Sequence, residues 1–366
     1  MTKIIDIIAG ARPNFMKIAP IIASFERNNF KEKGILYRLI HTGQHYDKNM
    51  SATFFDELNI PHPDINLQVG SGSQAEQTAK IMVAYEKILL DKPSVLCIVV
   101  GDVTSTMACS IVARKLQIEV AHVEGGIRSF DETMPEEINR KLTDSITNYF
   151  FTTSEVANQN LRKEGIPEGK IFFVGNTMID TLLKNMERLK QPAIWKENKL
   201  KEKEYIVMTL HRPANVDDPE NLKKLVEIVS ETCKSNKIVF PIHPRTKKIY
   251  ESLEIQPENI LLTEPMGYLE FNYLVKHAKL VITDSGGITE ETTVMGIPCL
   301  TLRNSTERPE TCSIGTNKLV GTDPSKLIEP IQQIFEGNWP KGKIPPLWDG
   351  NAAERIVKIM EDIIVN

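Results

Sequence analysis

The chain has no cysteine pair at redox or metal-ligand spacing: its five cysteines, at 97, 109, 233, 299 and 312, are scattered. That argues against a disulfide framework, and thiols in apolar contexts suit a reducing, cytoplasmic compartment. No apolar run reaches the length that spans a bilayer. The opening MTKIIDIIAGARP reads as a short strand with a polar exit, not as a secretory signal. An excess of one charge is missing too. Lys and Arg number 44 against 48 Asp and Glu, a net charge of −4, so no basic field points to nucleic acid or to an anionic membrane. Neither a Walker A sequence nor a GxGxxG fingerprint with a following acidic residue occurs, and no residues stand at metal-ligand spacing. ATP and NAD are therefore poorly supported, and no cofactor or metal is expected. Low-complexity tracts and short-period repeats are absent as well.

What is present is the pattern of a two-domain enzyme. At 366 residues, 41% hydrophobic and 25% charged, the chain can bury two sizeable cores. Short apolar runs at 3–9, 37–42, 95–101, 119–124 and 149–153 alternate with helical patterns such as 105–117 and 135–148. A second series of runs follows at 205–210, 237–242, 259–263, 279–284, 298–302 and 318–320, with a helix expected over 219–233. Several runs are apolar on both faces, as a parallel sheet covered by helices requires. The fold class expected is α/β, with two doubly wound Rossmann-like domains. Their spans are 1–175 and 176–350, and the amphipathic helix within 351–366 is expected to complete the first. The charged stretch 190–204 reads as the linker region.

In such sheets ligands bind beyond the carboxyl ends of the strands. The first series ends in Gly10-Ala11-Arg12-Pro13, Gly43-Gln44-His45, Asp102 and Glu124-Gly125-Gly126. The second ends in His211-Arg212, His243-Pro244, Glu264-Pro265 and Asp284-Ser285-Gly286-Gly287. Carboxylates line the first set, while His, Arg and helix-start glycines line the second. The stretch DSGGITEETTVMG (284–296) suits a phosphate at a helix start, with a carboxylate one turn on for sugar hydroxyls.

Each residue also has a plainer reading. Asp102, and Asp284 or Ser285, would serve as helix caps. Glu124 would pair with Arg128, and His122 would be a satisfied core histidine. His211 and Arg212 would pair with Asp217 or Asp218, and His243 would fill space under Pro244. Lys17 and Arg12 would be solvated, while Glu136 and Glu137 would complement the helix dipole behind Pro135.

Taken together, GARPNFMKIAP, HTGQHYDKNM, GDVTST, HVEGGIRSFDETMPEEINR, GNTMID, TLHRPANVD, PIHPRT, TDSGGITEE and TERPET resemble the non-hydrolysing UDP-N-acetylglucosamine 2-epimerases. The resemblance runs nearly the full chain. It implies a GT-B-like twin-Rossmann fold, an active site in the interdomain cleft and a cytoplasmic homodimer acting on a UDP-sugar. By the same resemblance Ser285, Gly286 and Gly287 would hold the pyrophosphate, Glu291 the ribose, and Tyr268 to Phe271 would lie beside the uracil. His211 and Arg12 would face the diphosphate and reacting sugar, with Lys17, Arg140, Arg212 and His243 nearby. Asp102, Glu124 and Glu136 would form the acid–base group at C2, supported by Arg308. Two residues depart from the family pattern: Asn14 stands where Glu is usual, and Gly125 where Ala is usual. The loop from His41 to Met50 resembles one branch of the family; in another, the equivalent loop helps bind a second, regulatory substrate molecule. Rival readings are a GT-B glycosyltransferase, a hydrolysing epimerase, a sugar-nucleotide sensor, and a 2-epimerase of a modified UDP-diacetamido-uronic or deoxy sugar.

Overall fold

A computed structural model describes residues 2–43, 57–255 and 257–365, together with their side chains except those of Arg12 and Arg245. The chain forms two compact units. One comprises Met1–Lys184 with Pro346–Asn366, the other Asn185–Pro345.

The first unit is built on a seven-stranded sheet in the order β3-β2-β1-β4-β5-β6-β7. Its strands are β1 (Lys3–Ala9), β2 (Ile35–His41), β3 (Ile65–Asn66), β4 (Leu96–Val100), β5 (Glu119–Val123), β6 (Tyr149–Thr152) and β7 (Ile171–Phe173). Every pairing is parallel, with Ile5 opposite Tyr37 on one side and Leu96 on the other. The second unit repeats the plan with six strands in the order β10-β9-β8-β11-β12-β13. These are β8 (Tyr205–Thr209), β9 (Lys237–Pro241), β10 (Ile260–Thr263), β11 (Leu280–Thr283), β12 (Cys299–Thr301) and β13 (Asn317–Leu319), again all parallel. Two doubly wound α/β units are what the continuous apolar runs imply, and each expected strand forms. β3 and β7 were not expected, being only two and three residues long and too short to show a period.

Strand order reverses between β1 and β4 in the first sheet and between β8 and β11 in the second. At such a switch point neighbouring connections leave in opposite directions and open a crevice at the carboxyl edge. The first crevice is rimmed by Gly10-Ala11-Arg12 and Gly101-Asp102, the second by His211-Arg212 and Asp284-Ser285-Gly286. Apolar side chains pack covering helices against these edges. In the first unit Ile8, Ile40, Cys97, Val99 and Val120 pack with Tyr85, Leu89, Ala108 and Val112 of the covering helices. In the second, Ile206, Met208, Ile282 and Leu300 pack with Leu222, Leu225 and Val229.

The first unit extends to Lys184 because helix Thr177–Asn185 anchors the C-terminal helix, Ala352–Val365. Asp180 accepts from the Ala352 and Ala353 N–H groups at 3.1 and 2.6 Å, satisfying donors that a helix start leaves open. Residues 190–204 are not a free linker. Trp195 sits edge-on to Tyr205 and Tyr273, at 5.4 and 5.3 Å between ring centroids, and Leu200 is buried with them in the second unit. An aromatic anchor outweighs the charged composition. Among the described residues no helix is long and apolar enough to cross a membrane.

Candidate active site

In the first unit the chain leaves β1 through a turn stapled by Asn14. The Asn14 carbonyl oxygen accepts from the Gly10 and Ala11 N–H groups at 3.0 and 2.9 Å, and its amide donates to the Val100 carbonyl at 3.0 Å. A glutamate there could accept but could not make that donation, so Asn ties the turn after β1 to the end of β4. Gly10 is needed because Ser105 packs where a Cβ would stand. Arg12 opens the helix Arg12–Arg27, though its side chain lies outside the described part. One turn on, the Lys17 ammonium meets Glu124 Oε2 at 2.6 Å, with both residues buried. Glu124 therefore pairs with Lys17 and not, as its sequence neighbour suggested, with Arg128. Arg128 is drawn instead to Asp144 and Glu164, each at 2.7 Å. Glu124 also holds a left-handed backbone, φ 72°, which a non-glycine residue adopts at a cost of about 1–3 kcal/mol and which aims its side chain out of the strand line.

Asp102 does not cap the helix that follows it. The cap position is Val103, with no side-chain bond, and Asp102 Oδ2 accepts from Arg140 Nε and Nη2 at 3.0 and 2.5 Å. Arg140 reaches Glu137 with its remaining nitrogen at 2.6 Å. The fork fixes both carboxylates from one helix, Pro135–Ile146. Of the adjacent glutamates, Glu137 is buried and Glu136 exposed. Burial pushes the Glu137 carboxyl up, but the Ser129 N–H, Arg140 and the Ser129 hydroxyl outweigh it and hold it below its ordinary range. Glu137 is thus structural, a role the sequence did not separate from that of Glu136. Asp102, Glu124, Lys17 and Arg140 gather beyond the ends of β4 and β5, and Glu136 stands in the first turn of the helix that carries Arg140.

The second unit offers the complementary chemistry. Asp284, fully buried at the end of β11, accepts from the backbone N–H groups of His211 and Arg212 at 3.0 and 2.9 Å. It also meets His211 Nδ1 at 2.7 Å, across the switch point. Burial pushes the Asp284 carboxyl up, yet the His211 ring and the Arg212 N–H outweigh it and keep it below the ordinary carboxylate range. With Nδ1 engaged as donor, the half-exposed His211 ring keeps Nε2 for a ligand. His211 is therefore oriented by Asp284, and Asp218 instead caps the helix Pro219–Thr232. Arg212 Nε donates to the Asp284 carbonyl at 3.1 Å.

Ser285 occupies the cap position of helix Gly286–Met295 without spending its hydroxyl on a cap. The first-turn N–H groups and that hydroxyl suit an anion. The helix ends at Gly296, φ 69°, a left-handed stop that glycine adopts cheaply. A Cβ on Gly286 would collide with Glu307, which pairs with Arg303 at 2.6 Å. A larger residue there would have to displace the end of the Glu307 side chain from this pair. Glu290 pairs with Arg308 in the same unit, both buried. Glu291 is buried beside Tyr268 and Asn272, whose amide lies 3.4 Å from Oε1. Burial raises its carboxyl to about 7 against the pull of both neighbours. Phe271 packs partly into the core with Leu274 and Val275, and His243 is exposed at the end of β9. The regulatory-loop expectation, on His41 to Met50, falls largely on 44–50, outside the described residues.

Two groups of residues thus stand at two switch points: carboxylates with paired cations on one unit, and a histidine, an arginine and an open helix start on the other. Against known families, the profile described as UDP-N-acetylglucosamine 2-epimerase matches residues 28–361. The chain belongs to that family. It is 45% identical over 370 residues to the UDP-N-acetylglucosamine 2-epimerase of Methanocaldococcus jannaschii, covering 97% of this chain and 98% of that one. It is 38% identical over 331 residues to the UDP-2,3-diacetamido-2,3-dideoxy-D-glucuronate 2-epimerase of Pseudomonas aeruginosa, covering 89% and 90%. Among solved structures, the M. jannaschii enzyme in complex with UDP-GlcNAc and UDP superposes with a TM-score of 0.88 at 44% identity, over 98% of this chain and 99% of that one. The Neisseria meningitidis enzyme bound to UDP-GlcNAc gives 0.88 at 31%, over 98% and 100%. The twin-Rossmann, GT-B-like fold read from the sequence is the fold of these neighbours.

Proposed function

We propose that this chain is an isomerase that inverts C2 of a UDP-2-acetamido sugar, interconverting UDP-N-acetylglucosamine and UDP-N-acetylmannosamine. The observation that carries this reading is the division of labour at the switch points of a chain in this family. His211, Arg212 and the open helix start at Ser285 suit a diphosphate, while Glu124, Asp102 and Glu136 suit proton transfer at a sugar carbon.

The C2 proton has no carbonyl beside it, so the leaving group must supply the driving force. As the C1–O bond breaks, its electron pair departs with UDP and positive character at C1 acidifies the C2 proton. A carboxylate takes that proton, C1 and C2 become doubly bonded, and 2-acetamidoglucal results. Reprotonation of C2 on the other face by a second carboxylic acid, with return of UDP to C1, gives the epimer. Positive donors and helix N–H groups stabilise the charge that develops on the departing diphosphate. In this reading Glu124 and Glu136 serve the two ring faces, with Asp102 beside them. His211 and Arg12 face the diphosphate, Arg212 and His243 lie near it, Lys17 and Arg140 hold the carboxylates, and Arg308 supports the group. Ser285, Gly286 and Gly287 cradle the pyrophosphate, Glu291 takes the ribose, and Tyr268 and Phe271 flank the base.

All five cysteines are free thiols, which supports a cytoplasmic site of action, and we read the working form as a homodimer. The Pseudomonas relative favours one second reading, a diacetamido-uronate substrate. Incubation with UDP-N-acetylglucosamine alone, followed by NMR, tests the proposal. UDP-N-acetylmannosamine is the expected product; free N-acetylmannosamine, or turnover only with an added acceptor, would overturn it. Turnover of the diacetamido-uronate alone would move the assignment to that sugar.

A further inference from the structure

His122 satisfies its surroundings in a way that fixes its proton count. The ring is fully buried in β5, two residues before Glu124. Nε2 lies 2.7 Å from the Gly101 carbonyl oxygen, and Nδ1 lies 2.7 Å from Asp144 Oδ1. A carbonyl only accepts, so Nε2 carries a proton. An ionised carboxylate also only accepts, so Nδ1 must carry one too unless Asp144 is itself protonated. Around Asp144 the neighbours favour the ion. Its Oδ2 takes the Gly126 N–H at 3.0 Å and the Arg128 guanidinium at 2.7 Å. Burial pushes this carboxyl up, while the Arg128 guanidinium favours the ion whatever the state of His122. Arg128 is balanced in turn by Glu164, at 2.9 Å from Nε and 2.7 Å from Nη2. His122, Asp144 and Arg128 are buried, and the charge of Arg128 is met from the surface by Glu164, which is exposed.

The ring's other bond decides what this does. Gly101 directly precedes Asp102, and its N–H already donates to the Val123 carbonyl at 3.0 Å. Gly101 is therefore gripped twice by β5, by a backbone bond at Val123 and by the imidazole at His122, immediately before each chain releases a candidate acid–base side chain. Glu124 holds a left-handed backbone, φ 72°, which a non-glycine residue keeps only where its surroundings over-determine it. Gly101, φ 66°, adopts the same region without strain.

We propose that His122 is a positioning residue, held as a buried imidazolium by Asp144, which clamps the Gly101 carbonyl and so fixes where Asp102 stands relative to Glu124. This rests on the acid–base reading of those two carboxylates. Replacing His122 by Asn leaves an amide donor near Nδ1 for Asp144 but nothing that reaches Gly101. Replacing it by Gln leaves a donor near Nε2 for Gly101 and abandons Asp144.

The test has two parts. Nitrogen-15 NMR of the wild-type protein labelled at histidine should show both His122 ring nitrogens protonated, as acceptors on both sides of the ring require. A neutral tautomer overturns the imidazolium. In steady-state assays with UDP-N-acetylglucosamine, His122→Asn should lose about 10–100-fold in kcat while KM stays within about threefold, because a misplaced reacting group impairs the chemical step more than nucleotide binding. His122→Gln should recover at least part of that kcat. Asn at wild-type kcat, or Gln no better than Asn with both folded, overturns the clamp. The NMR result does not depend on catalysis, and Glu124→Gln assayed alongside reports on the acid–base reading separately. Failure of one is thereby distinguishable from failure of the other.

Discussion

Replacing Glu291 by Gln should move stability and ligand affinity in opposite directions, and both changes should depend on pH. The side chain is buried in helix Gly286–Met295 beside Tyr268 and Asn272, and burial raises its carboxyl from an ordinary 4.5 to about 7. Because the folded value is the raised one, the folded state holds this proton more tightly than the unfolded chain does. Its contribution to stability is fully present below pH 4.5 and is lost as pH rises through 7. Between pH 5 and pH 8 that loss amounts to about 2–3 kcal/mol, an order-of-magnitude figure from the separation of the two values. Glutamine has no proton to release. The stability difference between the Glu291→Gln protein and wild type should therefore shift in favour of the variant by about that amount from pH 5 to pH 8. Any fixed cost of placing an amide beside the Asn272 and Tyr268 donors cancels in this comparison.

The functional side runs the other way. A carboxylate accepts hydroxyl hydrogen bonds more strongly than an amide, and losing one charged hydrogen bond costs about 1.5–3 kcal/mol, roughly ten- to over a hundredfold in affinity. Wild-type affinity should also fall about tenfold from pH 8 to pH 6 as the carboxyl takes up its proton, and the variant should lack that fall. A UDP-sugar is the better probe, since its diphosphate diester has no group titrating in this range. Urea denaturation at pH 5 and pH 8, with calorimetry at pH 6 and pH 8, reads both effects. A stability difference that stays flat with pH would remove the buried, raised carboxyl. Wild-type affinity in the variant would remove Glu291 from the ligand contacts.

Two further outcomes test the chemistry. In D₂O the wild-type product should carry deuterium at C2, and Glu124→Gln should slow epimerisation by about 10²–10⁴-fold while leaking UDP and 2-acetamidoglucal. NMR showing no deuterium at C2 would remove the elimination route, and unchanged rates in both Glu124→Gln and Glu136→Gln would remove the residue assignment. Arg140→Lys keeps one charge but cannot hold Asp102 through two nitrogens and Glu137 through a third. It should lower kcat by at least about tenfold and destabilise the fold by about 1–3 kcal/mol; a wild-type denaturation midpoint with wild-type kcat would refute the fork.

The strands were legible because a parallel sheet covered on both faces writes itself as continuous apolar runs, and the exits were legible because chemistry collects where those runs stop. Strand order is not written in that way. Nothing local in KIIDIIA or VLCIVVG says that these two runs lie side by side, so the sequence marked the exits without showing which of them share a crevice. Short elements were lost for a related reason: Ile65–Asn66 and Ile171–Phe173 are strands only because a longer neighbour pairs with them. Asp6 escaped notice in the middle of KIIDIIA, yet Arg38 forks onto it at 2.7 and 2.9 Å and Tyr85 donates to it at 2.8 Å.

Three of the plain readings failed in one consistent direction. Each paired a charge with the nearest opposite charge or helix end along the chain: Glu124 with Arg128, Asp102 with its following helix, His211 with Asp217 or Asp218. The fold pairs them with residues 107, 38 and 73 positions away, namely Lys17, Arg140 and Asp284. The reason lies in doubly wound topology. Carboxyl ends of sequence-distant strands are brought to one edge, helices return their first turns to that edge, and groups within one loop point apart. A buried charge then takes the partner that burial offers, since an unpaired buried ion costs several kcal/mol. His122 is the exception that fits the rule. Read from the sequence as a satisfied core histidine, it is one, but its partners lie 21 and 22 positions off, on the two elements that carry Asp102 and Arg140. Satisfaction at such a distance ties this edge of the sheet together, which a local partner could not do.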